Sequence, residues 1–272
     1  MNATFVSWIW APARCLALLL ALFLVPGQAG AAVSIDGTLF TPFFVGHWDG
    51  KAADLDLMAG FSDRDWLDIE GAEIFTDSPY TEGECPQGEG HAISPLVDGG
   101  EKLLIYSAEG KKLASAVIEQ KLDFRCMEAS GQKFLHAALR DLAPEPGAEE
   151  YSGTAVALLA EVTPAFYPTK RVQGQDGAFV LQAEIPGSGT AAVHYTKNDE
   201  GFGRVFRQGT VEILMYPALT EDPEETTGYF MDLDRNGILE FLSLTDGPAG
   251  SINLYSFMRL PLKPLYSIDT GE

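Results

Sequence analysis

From Met231 to Leu244 the chain reads Met-Asp-Leu-Asp-Arg-Asn-Gly-Ile-Leu-Glu-Phe-Leu-Ser-Leu, and its oxygen-bearing side chains are spaced as metal ligands would be. With Asp232 as position 1, side-chain oxygens fall at 1, 3, 5 and 9 (Asp232, Asp234, Asn236, Glu240), and the backbone carbonyl of Ile238 stands at 7. Ca²⁺ takes about six to eight oxygens at about 2.3–2.6 Å, and a tight loop of alternating acidic side chains supplies them. Gly237 permits the positive φ that lets such a loop fold back on an ion. The expected cofactor is therefore a structural Ca²⁺ held by Asp232, Asp234, Asn236, Ile238 and Glu240. An EF-hand does not fit, because its bidentate glutamate at position 12 is here Ser243 and the flanks read as strands. A metal-free turn is the alternative, since Asn-Gly between two apolar runs also signals a type I′ hairpin. In that case Asp232, Asp234 and Glu240 crowd one turn with Arg235 as the nearby cation, and like charges so placed repel.

Two other constellations bear on chemistry. Asp63, Asp65, Asp68 and Glu70 surround Trp66, and a glycosidase needs two carboxylates about 5–10 Å apart, often beside an aromatic ring. The same run also reads as a solvated acidic loop, because acids make up 39 of the 272 residues and such clusters arise easily. Trp48, in Gly46-His47-Trp48-Asp49-Gly50, suits either a sugar platform or a core. No Gly-x-Ser-x-Gly elbow, His-Glu-x-x-His pair or P-loop occurs, and His47, His91, His136 and His194 are too dispersed for metal-ligand spacing. They read as surface histidines or satisfied core residues.

The turn resembles the calcium loops of FG-GAP repeats, the integrin-type β-propeller family. The matching residues are Asp232, Asp234, Asn236, Gly237 and Glu240, followed by the apolar strand Phe241-Leu242-Ser243-Leu244. Arg235 and Glu240 depart from the family pattern, which has glycine and aspartate there. The likeness covers about 30 residues and has no second copy, so it implies a calcium turn and not a propeller.

These residues need elements to carry them. Residues 1–31 read as a secretory signal peptide: Arg14 precedes the apolar run Cys15–Val25, and Ala29-Gly30-Ala31 supplies a small-x-small cleavage pattern. The run is shorter than the roughly 20 residues that span a bilayer, and no later stretch is apolar enough to span one. Cleavage leaves about 240 residues, enough for one sizeable domain or two small ones. The formal net charge is −21, and the removed segment carries one arginine and no acid. Nucleic acid and anionic membrane surfaces are thereby disfavoured as partners. With 46% hydrophobic residues the chain can build a core, which excludes a disordered acidic polymer.

Export would leave Cys85 and Cys126 as the remaining cysteines, a pair that reads as a disulfide. Such a loop of about 41 residues adds roughly 4 kcal/mol in the chain-entropy picture, less any strain. Free or redox-active thiols are the alternative, with His91 and His136 near them in sequence. Short aromatic and β-branched segments bounded by Gly, Pro, Asn and Asp predict a mainly β protein. Lys102–Ala108 and Leu113–Glu119 are joined by Ala108-Glu109-Gly110-Lys111; further strands follow at Leu122–Glu128 and Lys133–Leu139. Ala52–Asp68 is the least strand-like part and suggests a short helix or acidic loop; Val156–Ala160 suits helix or strand equally. Ala143–Tyr151 reads as a linker, giving a β-rich unit over 32–142 with the disulfide and another over 152–272 with the calcium turn, or one continuous domain over 32–272. The expected architecture is a β-sandwich or two packed antiparallel β-units, with a small propeller as the alternative.

The function so indicated is an exported, periplasmic or extracellular, calcium-stabilised binding or envelope-associated protein, its partner an unassigned protein or glycan. A secreted hydrolase working through Asp63, Asp65, Asp68 or Glu70 is the alternative.

Overall fold

Ala53-Asp54-Leu55-Asp56-Leu57 shows how this sequence builds sheet. An extended chain sends successive side chains to opposite faces, so Ala53, Leu55 and Leu57 are buried while Asp54 and Asp56 stay partly exposed. The computed structural model describes residues 33–35, 38–61, 66–67, 102–118, 124–129, 132–198, 201–219, 226–245, 251–257, 264 and 266–269. It places Ala53–Phe61 in a long strand, where the sequence suggested a short helix or acidic loop. The poor strand propensity of aspartate is overridden because both aspartates sit on the outward face and find partners there, Asp56 in His136 and Asp54 in Arg140.

Among the described residues the protein is all-β, with no helix. Residues Ala31–Glu272 form one compact unit. Its first sheet comprises β1 (Val33–Ile35), β2 (Thr38–Trp48), β3 (Ala53–Phe61), β4 (Trp66–Leu67), β5 (Lys102–Ser107), β6 (Lys112–Val117), β7 (Phe124–Ala129), β8 (Gln132–Leu139) and β9 (Gly153–Leu159). The antiparallel order is β6-β5-β9-β2-β3-β8-β7, with β1 on β2 and β4 on β3, and the sheet curls into a half-barrel. Register shifts at Phe43/Phe44 and Ile105/Tyr106 bend their strands. Close packing inside the curl needs Gly46: a Cβ there would lie 1.8 Å from the Asp54 carbonyl oxygen.

The chain then forms β10 (Ala165–Tyr167). An antiparallel sheet of β11 (Lys170–Gln173), β12 (Phe179–Ile185), β13 (Gly189–Asn198), β14 (Gly201–Gln208) and β15 (Val211–Leu219) follows in sequence order. The last strands, β16 (Thr226–Asp232), β17 (Glu240–Thr245), β18 (Ser251–Ser256) and β19 (Tyr266–Asp269), join β10 in the order β10-β16-β17-β18-β19. Three sheets of this kind, one of them a half-barrel, are sandwich-like packing and not a ring of four-stranded blades.

The cores show the layering. Phe44, Trp48, Leu55, Leu103 and Ile105 fill the half-barrel. Its other face sends Phe43, Val45, Val156 and Leu158 onto Met231, Leu242 and Leu254 of the β10/β16–β19 sheet and onto Leu233 just after β16. That sheet's opposite face carries Phe230, Phe241 and Tyr255 against Phe179, Leu181, Tyr195 and Phe206 of the β11–β15 sheet. The middle sheet is therefore covered on both faces, which is why Tyr229-Phe230-Met231 and Phe241-Leu242 read as unbroken apolar runs. The same holds for β9: residues 155–159 are all buried, so no alternation marked it as strand.

Ala143–Tyr151 precedes β9, which inserts between β5 and β2. The segment also packs: Ala148 is fully buried, and its carbonyl accepts the Trp48 Nε1–H bond at 2.9 Å. Trp48 is thus a core residue whose polar handle is satisfied, not an exposed platform.

Candidate functional site

The oxygen-rich turn joins β16 to β17, whose last pair is Met231↔Glu240. Leu233 and Leu239 anchor the loop, the first in the core facing the half-barrel and the second in the core facing β11–β15. A further backbone bond runs from the Phe257 N–H to the Leu239 carbonyl, at 3.1 Å. Between these anchors Arg235 and Gly237 both adopt positive φ, 58° and 83°. A two-residue type I′ hairpin centred on Asn236-Gly237 is not formed, because seven residues separate Asp232 from Glu240 and side chains take the backbone donors there.

Those side chains form a ladder. The Gly237 N–H donates to Asp232 Oδ2 at 3.0 Å, the Asn236 N–H to Asp234 Oδ1 at 3.1 Å, and the Ile238 N–H to Asn236 Oδ1 at 2.7 Å. Asn236 Nδ2 also donates to Asp234 Oδ2 at 2.9 Å. Each of the three side chains is thereby held by a backbone N–H within the loop. Arg235 does not answer the acids: its Nε donates to the Thr163 carbonyl at 2.6 Å and its guanidinium also reaches the Pro164 carbonyl.

Asp232 and Glu240 are the buried members, 5% and 2% exposed. Glu240 turns under the loop, where its Oε2 accepts from the Leu233 N–H at 3.1 Å and its Oε1 from the Ser256 hydroxyl at 3.2 Å. Burial raises its pKa well above the ordinary carboxylate range; the Leu233 bond opposes this, and the charges of Asp234 and Asp232 add to it. Asp232 is also raised, chiefly by burial, against the Gly237 bond and with the Asp234 charge. Its Oδ1 is buried and has no hydrogen-bond partner. A buried oxygen of this kind normally finds one.

A Ca²⁺ ion fits this donor chemistry in one respect and is constrained in another. Asp232 Oδ1 is a buried carboxylate oxygen without a hydrogen-bond partner, which a cation would satisfy. Yet among the described residues no group of three or more His, Cys, Asp or Glu side chains is gathered closely enough to hold a metal. A shell here must therefore draw on neutral oxygens as well, those of Asn236 and of backbone carbonyls such as Ile238. Glu240, whose oxygens are both engaged by the protein, underpins the loop.

The other expected residues are differently placed. Asp63, Asp65, Asp68 and Glu70 lie outside the described residues, as do Cys85 and His91, so neither the carboxylate pair nor the disulfide is located. Cys126 falls in β7.

One cluster escaped the sequence reading. On the outward face of β3 and β8, His136 Nδ1 lies 2.7 Å from Asp56 Oδ1, and an Arg140 guanidinium nitrogen lies 2.7 Å from Asp54 Oδ1. The hydrogen bond to Asp56 is the main cause of a raised His136 pKa, with burial opposing it. The alternation Asp54-x-Asp56 was visible in the sequence, but its partners, His136 on β8 and Arg140 just after it, lie 80 and 86 residues further along the chain.

With the geometry described, comparison with known proteins adds no relative. No family model matches the chain, and no curated protein or solved structure shows significant similarity to it.

Proposed function

We propose that the Asp232–Glu240 loop is a structural Ca²⁺ turn in an exported β-rich protein that acts as a binding or envelope-associated module. The observation that carries this reading is Asp232 Oδ1, a buried carboxylate oxygen without a partner in a loop that already orients Asp234 and Asn236. Leaving such a group unanswered costs about 1–3 kcal/mol, and more when it is charged. A bound cation offsets that cost. The loop is tied through Leu233 and Leu239 into the cores on both faces of the middle sheet, so an ion there braces the junction of all three layers. Export rests on the Arg14–Ala31 pattern, and intact mass of the secreted protein tests it.

Terbium luminescence tests the metal. Tyr167 is close enough to Asp232 for the two to interact electrostatically, so Tb³⁺ in the loop should be sensitised by tyrosine excitation. Excess Ca²⁺ should quench the emission, and Asp232→Asn should abolish it. Sensitised emission that persists in that variant would place the ion elsewhere and reject the reading.

A further inference from the structure

The β11–β15 sheet turns one face to the core, and on its other face the described residues include exposed Val172 and Leu214. Across that outer face one residue per strand falls in a single transverse row: Val172, Val180, His194, Val205 and Leu214. The register pairs each with the next, Val172↔Val180, Val180↔His194, His194↔Val205 and Val205↔Leu214. Directly paired residues lie about 4.5–5.5 Å apart, so this is one continuous apolar stripe, interrupted by a histidine at its midpoint. Its ends, Val172 and Leu214, are 45% and 48% exposed, so the stripe carries apolar surface out to both edge strands of the sheet.

The neighbouring row supplies the chemistry of the occupant. It runs Lys170, Gln182, Ala192, Arg207, Glu212, so a cation stands at the β11 edge and an anion at the β15 edge. At the described outward positions of these strands the charged residues are Lys170 and Arg207 against Glu184 and Glu212. The face is therefore locally neutral on a chain of net charge −21, which removes the repulsion that keeps other surfaces of two copies apart.

We infer that this face pairs with the same face of a second copy, about a two-fold axis that runs along the strands near His194. Such a rotation reverses strand order and preserves each row. It sets Lys170 over the second copy's Glu212, Val172 over its Leu214 and Val180 over its Val205, with the two copies of His194 meeting near the axis. An isologous contact requires a surface complementary to itself, and these rows are: valine and leucine meet valine and leucine on either side of the His194 pair, Gln182 meets Arg207, and Lys170 meets Glu212 at the edges. Stacked sheets cross at about 30°, a rotation that displaces the row ends by a few ångström, within the reach of lysine and glutamate.

Sedimentation velocity of the full-length protein over a concentration series tests the inference. The wild type should pass from monomer to dimer with rising concentration, and Leu214→Glu should weaken the association by at least about tenfold. Val172→Glu repeats that test on the opposite edge strand, should either variant fold poorly. Lys170→Glu and Glu212→Lys break two pairs per dimer, at about threefold per exposed pair, so each alone should weaken association by about tenfold. Together they should restore it, because the swapped charges again face each other across the axis. A wild type that stays monomeric to about millimolar concentration overturns the inference and assigns the stripe to another occupant. So does a dimer indifferent to Leu214→Glu and Val172→Glu, or a charge swap that fails to restore association.

Discussion

Asp232→Asn should invert the order of stability between calcium and chelator. The substitution keeps an amide oxygen where Asp232 Oδ2 accepts the 3.0 Å bond from Gly237, and removes the charge from the buried side that has no partner. In chelator the wild-type carboxylate is a liability. Its folded pKa is raised, so the folded state holds a proton more tightly than the unfolded chain, and stability falls as pH rises from about 3.9 through the folded value. The asparagine escapes that loss, so at neutral pH the variant should be as stable as the wild type or more so. In saturating Ca²⁺ the wild type gains by mass action, about 2.7 kcal/mol at a hundredfold excess over Kd. For a protein of this size each kcal/mol moves Tm by about 2–4 °C, so the calcium shift should be about 5–10 °C. Asparagine lacks the carboxylate and should show a shift near zero. Thermal melts by circular dichroism in millimolar Ca²⁺ and in chelator make the comparison. A wild-type curve indifferent to calcium, or a variant less stable than wild type in both conditions, would refute the reasoning.

Three further outcomes follow from the fold. Gly46→Ala forces a methyl group to within 1.8 Å of the Asp54 carbonyl oxygen, so β2 and β3 must part; chemical denaturation should register a loss of about 3 kcal/mol. Trp48→Phe leaves a void in the half-barrel and strips the Ala148 carbonyl of its 2.9 Å donor, for about 2–4 kcal/mol by the same measurement. Asp56→Asn probes His136, whose folded pKa is raised, so the pair's contribution is present in full below about pH 6.5 and lost as pH rises through the folded value. The stability advantage of wild type over this variant should therefore shrink between mildly acidic and mildly alkaline pH in denaturant titrations, and an advantage independent of pH would remove His136 from the account.

Much of the loop was legible in consecutive residues. The spacing of Asp232, Asp234 and Asn236, and the freedom of Gly237 to take φ 83°, are properties of a short stretch of chain and survive into the folded ladder. The β character was legible for the same reason: the alternation of Leu103 and Ile105, and the turn at residues 108–111, are set by local geometry. Where alternation was masked, the cause lay outside the segment. In β9 both faces are buried, and in β3 the aspartates became acceptable only beside His136 and Arg140.

Tertiary structure alone decided the rest. No spacing rule says that Glu240 turns inward to the Leu233 N–H and the Ser256 hydroxyl, that Arg235 turns away to carbonyls at Thr163 and Pro164, or that Asp232 Oδ1 ends buried and unanswered. The stripe from Val172 to Leu214 likewise exists only because five strands are in register. Spacing and backbone freedom are written in neighbouring residues, but desolvation and pairing depend on which distant strands arrive beside them, and that is settled only when the three sheets pack.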